Sequence, residues 1–250
     1  TLSSSSAASD VYKRQVLMSR APAQLPLGVG LRDDATFDNY HPGANATLVE
    51  CLSHQFDDNG EPFLYLWGGD GVGRSHLLQA ACHQASARDL RTLYLPLEEL
   101  GHFPPLMLED VERLDLVAID DLDRVVGRKR WEEALFHAFN RLRDSGKRLL
   151  IAADRPPRQL DIKLADLASR LTWGMTFHLR QLSDEDRMQA LKLRAHLRGM
   201  ELPDEVARYI LHRGARELSE LFRSLEVLDN ASLSAQRKLT IPFVKKALDW

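Results

Sequence analysis

Between Leu64 and Leu78 the apolar run Leu64-Tyr65-Leu66-Trp67 enters a glycine-rich turn, Gly68-Gly69-Asp70-Gly71-Val72-Gly73, and leaves it through Arg74-Ser75-His76-Leu77-Leu78. Glycine, four residues, glycine, a cation and a hydroxyl is the spacing of a loop that wraps phosphate oxygens. Gly68, Gly73 and Ser75 fit that spacing, and Arg74 stands where lysine is usual. Gly68, Gly71 and Gly73 supply the backbone freedom that lets amide N–H groups converge on an anion. The helix that starts near Arg74 aims its free N–H groups at the same place, with Val72 and His76 completing the candidate contact set. The Ser75 hydroxyl can reach a magnesium ion. Arg74 binds phosphate through a planar fork and not a compact ammonium, so tight binding with slow hydrolysis is expected. For this loop taken alone, a glycine turn without any ligand is the competing reading.

A second stretch weighs against that competitor. Leu114-Asp115-Leu116-Val117-Ala118-Ile119-Asp120-Asp121-Leu122-Asp123 is a buried-strand pattern ending in acidic residues. A nucleotide-binding sheet places its magnesium-holding carboxylate there, so Asp120 is the magnesium candidate. Asp121 follows, where a carboxylate can polarise an attacking water; a plain surface carboxylate at a strand end is the alternative.

Elements that would position these groups alternate along the chain. Strands are expected at Phe63 to Trp67, Thr92 to Pro96, Leu116 to Ile119, Arg148 to Ala152 and Thr176 to Leu179. Helices are expected at Ala46 to Gln55, Ser75 to Ser86, Trp131 to Ser145 and Leu164 to Leu171. Strand and helix in alternation call for a parallel sheet with helices on both faces. After Leu182 the pattern turns purely helical. Ser183 caps an acidic first turn, Asp184-Glu185-Asp186, of a helix running to about Leu197. Further helices are expected at Pro203 to Arg213, Glu217 to Ser232 and Ile241 to Leu248.

The bounds are mild. A chain of 250 residues suffices for one large and one small folded part. The formal charge of -3, from 33 Lys and Arg against 36 Asp and Glu, offers no global basic footprint for DNA. Cys51 and Cys82 lack metal-ligand spacing and read as reduced, buried thiols of a cytoplasmic protein. No stretch is long and apolar enough to cross a membrane. Thr1 to about Leu17 is Ser- and Ala-rich and matches no folded element; it reads as an extraneous leader with Met18 the natural start, or as a tail.

With the loop, the acidic strand end and the terminal helices in place, the chain resembles an AAA+ nucleotide-binding module of the DnaA/Hda clade. That resemblance implies an α/β fold, a P-loop parallel sheet with flanking helices, followed by a small all-helical lid. Thr36-Phe37-Asp38-Asn39-Tyr40 resembles the segment that packs near the nucleotide base in that clade, which implicates Phe37 and Tyr40. Ile151-Ala152-Ala153-Asp154-Arg155 is similar to the sensor-1 strand end, which puts Asp154 near the terminal phosphate; a turn-capping aspartate is the rival. Leu167-Ala168-Ser169-Arg170-Leu171-Thr172-Trp173-Gly174 resembles the box that carries an arginine finger, implying that Arg170 projects into a neighbour's nucleotide site. Its rival is a helix-end arginine paired with a carboxylate. Arg216 in Arg213-Gly214-Ala215-Arg216-Glu217-Leu218 matches the sensor-2 arginine, against a surface residue of the lid.

The resemblance runs from Gln24 to Trp250, and the chain stops where the initiator of the clade would continue into a basic helix-turn-helix domain. Together with Arg74 this resembles the regulatory members that switch the initiator off. Gln24-Leu25-Pro26-Leu27 is similar to the short peptide by which such regulators dock on the DNA polymerase sliding clamp, with Leu25 and Leu27 in an apolar groove and Gln24 at its edge. The implied division is a leader over 1–23, a clamp-binding peptide over 24–30, a nucleotide-binding domain over 31–182 and a lid over 183–250. The implied ligands are ADP or ATP with Mg2+, bound with weak or no intrinsic hydrolysis. The implied partners are the initiator DnaA, the clamp and a second copy of the chain, with DNA met only through the clamp. A helicase-loader type ATPase is the alternative from another class, and an initiator fragment that binds DNA directly is a third.

Overall fold

The computed structural model describes residues 31–250 apart from Asp33 and Arg216, and these residues group as a single unit. Its sheet has five strands, β1 (Phe63–Trp67), β2 (Thr92–Pro96), β3 (Leu116–Asp120), β4 (Arg148–Ala153) and β5 (Met175–His178), in the order β2-β3-β4-β1-β5. Every pairing is parallel, with Phe63 opposite Leu149 and Leu64 opposite Met175 on the two sides of β1. Parallel neighbours cannot be joined by hairpins, so helices carry each crossover. α1 (Ala46–Ser53) precedes the sheet, and the crossovers run through α2 (Arg74–Ser86), the short α3 (Leu97–Leu100), α4 (Lys129–Asp144) and α5 (Ala165–Arg170).

Strand alternation divides two apolar layers. Leu64, Leu66, Leu116, Ala118, Leu150 and Ala152 pack in one cluster with α1 and α2. Their neighbours Val117, Ile119, Leu149 and Ile151 face Leu135 and Phe139 of α4 on the other side of the sheet. Strands buried on both faces read as continuous apolar runs, which is why β1, β3 and β4 are legible, whereas the edge strand β5 is mostly exposed. Within the sheet and its flanking helices the observed edges move by one or two residues: β5 starts and ends one residue earlier than expected, and α1 stops at Ser53, two short of Gln55.

Beyond the sheet lie α6 (Asp184–Leu197), α7 (Asp204–Arg213), α8 (Leu218–Ala235) and α9 (Ile241–Leu248). Ser183 does cap α6, its hydroxyl accepting from the Asp186 amide at 3.1 Å. These helices hold their own apolar cluster, including Leu191, Ile210, Leu225 and Val244, as a C-terminal helical lid. Among the described residues no helix is long and apolar enough to cross a membrane.

Candidate functional site

The glycine-rich loop leaves the C-terminal end of β1 and runs directly into α2. Gly68 is buried, and a Cβ there would lie 2.8 Å from the Leu179 carbonyl oxygen, so the chain passes where no side chain fits. Gly71 (φ +72°) and Gly73 (φ +97°) are left-handed, which turns successive amides toward one side of the loop. Gly73 is the residue before α2, whose first-turn N–H groups have no intrahelical acceptors. Ser75 is exposed at this helix start.

Across from the loop, β3 delivers its acidic end. Asp120 is 1% exposed, its Oδ2 accepting from the Tyr94 hydroxyl at 2.7 Å and its Oδ1 from the Asp121 amide at 3.0 Å. Gln79 of α2 in turn donates to the Tyr94 oxygen at 3.2 Å. Burial and the Asp120 charge push the Tyr94 phenol well above its usual range, so it stays a neutral donor. Two hydrogen bonds fix the orientation of this buried carboxylate. Tyr94 and Gln79 went unnoticed in the sequence because only the β2–β3 register and the crossing of α2 bring them to Asp120.

The residues present fit a nucleotide with magnesium. A hydroxyl and a carboxylate are hard oxygen donors suited to Mg2+, and among the described residues no group of three or more His, Cys, Asp or Glu forms a self-sufficient metal site. An ion held by Ser75, Asp120 and phosphate oxygens together is the arrangement such a donor set supports.

Arg74 does not reach outward. Its side chain is 10% exposed, and its Nη1 donates to the Gly68 carbonyl and, at 3.5 Å, to the Gly69 carbonyl. Nη2 lies 3.2 Å from Asp121 Oδ1 and 3.6 Å from Asp70 Oδ1. Burial pushes the Asp121 carboxyl up to about 6; Asp120 adds to the rise and Arg74 opposes it.

The segment expected near the nucleotide base sits on the loop. The Tyr40 hydroxyl donates to the Val72 carbonyl at 3.3 Å, and the His76 ring donates to the Thr36 carbonyl at 2.8 Å. Phe37 packs against the apolar cluster under α2. The same segment is clasped from the lid. Buried Arg194 of α6 pairs with the Asp34 carboxylate and stacks 5.2 Å over Phe222, while His41 meets Asp186 at 3.2 Å. Sequence reasoning missed Arg194 and Asp34, whose separation along the chain hides the pair.

The remaining candidates differ in their relation to the loop, Asp154 lying beside it since the Gly68 amide donates to the Ala153 carbonyl at 3.3 Å. Asp154 ends the β4 connection with its amide bonded to Asp123 (3.0 Å), and its carboxylate is clasped by Arg155 at 2.6 and 2.8 Å, which holds it below the usual carboxylate range. Arg170 closes α5 with its guanidinium 4.1 Å over the Trp173 ring and its buried Nε without an acceptor. The carboxylate partner that a plain helix-end arginine would have is absent among the described residues. Arg216, Gln24, Leu25 and Leu27 lie outside the described residues.

A concavity of about 510 Å³ opens elsewhere, between Cys51, His54, Asp57, Glu61 and Met175, at the edge of the sheet where β1 and β5 begin. It is therefore at the opposite end of the strands from the phosphate loop. Cys51 is only partly buried, packed against the edge of the apolar cluster, which corrects the expectation of two buried thiols, while Cys82 is enclosed under α2. Burial pushes the Cys82 thiol up to about 12, and burial with Glu61 raises Cys51. Iodoacetamide at neutral pH is expected to modify Cys51 slowly and Cys82 only after unfolding, as peptide mass spectrometry would read.

Residues 31–178 match the family model of the bacterial DnaA ATPase domain, and residues 184–248 match that of the Hda lid domain. Among solved structures, the chain is similar to domain III of the replication initiation protein DnaA from Thermotoga maritima. The identity is 26% over 88% of this chain and 98% of that one, with a TM-score of 0.74. AMPPCP-bound DnaA from Aquifex aeolicus shares the fold at 24% identity, over 82% of this chain and 68% of that one, with a TM-score of 0.69. A RuvB mutant from Thermotoga maritima shares it at 18% identity, over 86% and 71%, with a TM-score of 0.64.

Proposed function

The chain belongs to the bacterial DnaA ATPase family, with an Hda-type lid on a DnaA-type core, and from that premise we propose that it is a negative regulator of replication initiation. It works as an ADP-bound adaptor that, with a DNA-loaded sliding clamp, stimulates hydrolysis of the ATP carried by the initiator DnaA. The observation that carries this reading is the union of that lid with a phosphate loop in which Arg74 is turned inward onto Asp121.

Each part of the chain has a task in this reading. Gly71, Val72, Gly73 and the start of α2 hold the phosphates of the chain's own nucleotide, Arg74 adds charge, and His76 with Tyr40 and Phe37 fixes the segment beside it. Ser75 and Asp120 would hold Mg2+, which supplies charge neutralisation between phosphate oxygens. Asp154 of the β4 end and Arg216 of the lid respond to the distal phosphate. Asp121, occupied by Arg74, is a poor water-polarising group, so intrinsic turnover is weak. Arg170 is offered to the initiator's ATP, where a guanidinium offsets charge on the transferred phosphoryl group. Gln24, Leu25 and Leu27 dock on the clamp, which brings the chain to DNA without a DNA-binding surface of its own. A cytoplasmic setting follows from those partners.

The test is phosphate release from DnaA preloaded with ATP, in the presence of ADP, Mg2+ and clamp-loaded DNA. Release is expected to rise on adding the chain, to need the clamp, and to fall to background with Gln24→Ala. No stimulation by the intact chain overturns the reading. An intrinsic turnover of about one per second or faster, within the ordinary enzymatic range, would point to a helicase-loader type motor instead.

A further inference from the structure

We propose that the Arg74–Asp121 pair is a built-in competitor for phosphate, in which Asp121 occupies the guanidinium of the phosphate loop and so sets the nucleotide affinity of the site. The inference rests on reading that loop as a nucleotide site and concerns how the site is regulated.

Asp70, the other carboxylate near Arg74 at 3.6 Å, is 93% exposed, so Asp121 at 3.2 Å is the enclosed partner. The Arg74 and Asp121 side chains are both largely enclosed, 10% and 14% exposed, so the contact is screened far less than a surface pair. Arg74 spans from the end of β1, through the Gly68 carbonyl, to the end of β3, through Asp121. Only a forked guanidinium can bond both at once; a lysine ammonium at the same position would reach one or the other. Asp121 is fixed from its own side too. Its backbone is left-handed, φ 53° and ψ 48°, and its amide is tied to Asp120 Oδ1, so the carboxylate is presented by the turn and does not drift there.

Charge around the pair explains why Arg74 is held. Asp120 and Asp123 flank Asp121, and Glu98 adds a further negative charge, while Arg124 is already shared between Glu98 (3.1 Å) and Asp123 (3.7 Å). Arg74 is thus the cation in contact with Asp121. Phosphate oxygens arriving at the loop are acceptors of the same kind as a carboxylate and make bidentate bonds to a guanidinium in the same way. They must share Arg74 with Asp121 or displace it, against the negative charge that Asp121 keeps beside them. A neutral residue at 121 lifts both penalties.

The experiment is a double-mutant cycle read by calorimetric titration with ADP and Mg2+, on the chain as it stands. Asn tolerates left-handed backbone better than other non-glycine residues, so Asp121→Asn preserves the turn. It is expected to bind ADP about tenfold more tightly than the parent. In an Arg74→Gln background the same change is expected to give less than about a threefold gain, since no guanidinium is released. Arg74→Lys serves as a second background if Arg74→Gln does not fold, with an expected gain below that seen with Arg74. An equal gain in both backgrounds would mean simple charge repulsion and overturns the competitor, as does unchanged or weaker binding by Asp121→Asn. Failure of the parent and every variant to bind ADP overturns the nucleotide reading itself, and the competitor with it.

Discussion

Arg170→Ala is expected to lower the clamp-dependent stimulation of initiator ATP hydrolysis by about a thousandfold, the low end of what arginine fingers supplied from a neighbouring molecule contribute. The position of the residue is what makes the effect one of partner chemistry. Arg170 ends α5, and the chain then passes Trp173 and Gly174 before β5 begins at Met175. Gly174 is pressed against the start of β1, where a Cβ would lie 2.1 Å from the Phe63 carbonyl oxygen. The phosphate loop leaves the other end of β1, about 16 Å away for a strand of this length. Under the finger reading Arg170 makes no contact with the chain's own nucleotide, and ADP binding by Arg170→Ala is expected to match the parent. The side chain is also held in place. It lies on the Trp173 ring, which is 41% exposed and braced edge-on by Phe139 at 6.1 Å, with Arg143 5.6 Å from the same ring. Stacking fixes the plane of the guanidinium without consuming its hydrogen bonds. Arg170→Lys keeps the charge but loses that planar stack, so it is expected to recover little of the stimulation. The readout is single-turnover phosphate release from ATP-loaded DnaA with clamp-loaded DNA. Retention of more than about half of the stimulation by Arg170→Ala would end the finger assignment.

Which parts of this molecule could be read from its residues follows from how local each signal is. The buried strands stand out because both faces are covered, so Leu116 to Ile119 and Arg148 to Ala152 need no alternation to be seen. The phosphate loop is equally local, since its glycines, its cation and its hydroxyl lie within one turn. The Ser183 cap is set by four consecutive residues and forms as expected. What escaped depends on topology. Tyr94 and Gln79 converge on Asp120 only after β2 has paired with β3 and α2 has crossed them. Arg194 finds Asp34 only when α6 packs beside the segment before the sheet. The inward turn of Arg74 belongs to the same class: the substitution of lysine is visible in the sequence, but its partner at 121 is chosen by the place where β3 ends. Short pieces such as α3 and the single-turn helices carry too few residues for a periodic signal.

Gly73→Ala is expected to weaken ADP binding by more than about thirtyfold and to lower folding stability as well, whereas Gly71→Ala should spare most of the stability. Both glycines are left-handed, so each substitution carries a backbone cost of about 1–2 kcal/mol. Their surroundings differ. A Cβ at Gly71 would have no atom within 4 Å, and one at Gly73 would lie 2.7 Å from Tyr40 Cε2. Tyr40 has little room to give way, because its hydroxyl is bonded to Val72 and its ring packs 5.4 Å from His76, itself bonded to Thr36. Displacing the ring opens that cluster and adds about 1–3 kcal/mol through lost packing and an unpaired carbonyl. The loop and the segment before the sheet are thus one structural unit, so the strain at 73 reaches the phosphate-binding amides. Removing the obstruction isolates the cause. In a Tyr40→Ala background, Gly73→Ala should cost only its backbone share, giving a favourable coupling of about 1 kcal/mol or more between the two sites in urea unfolding. Strict additivity would place the damage in the glycine's own conformation and sever Tyr40 from the working of the loop.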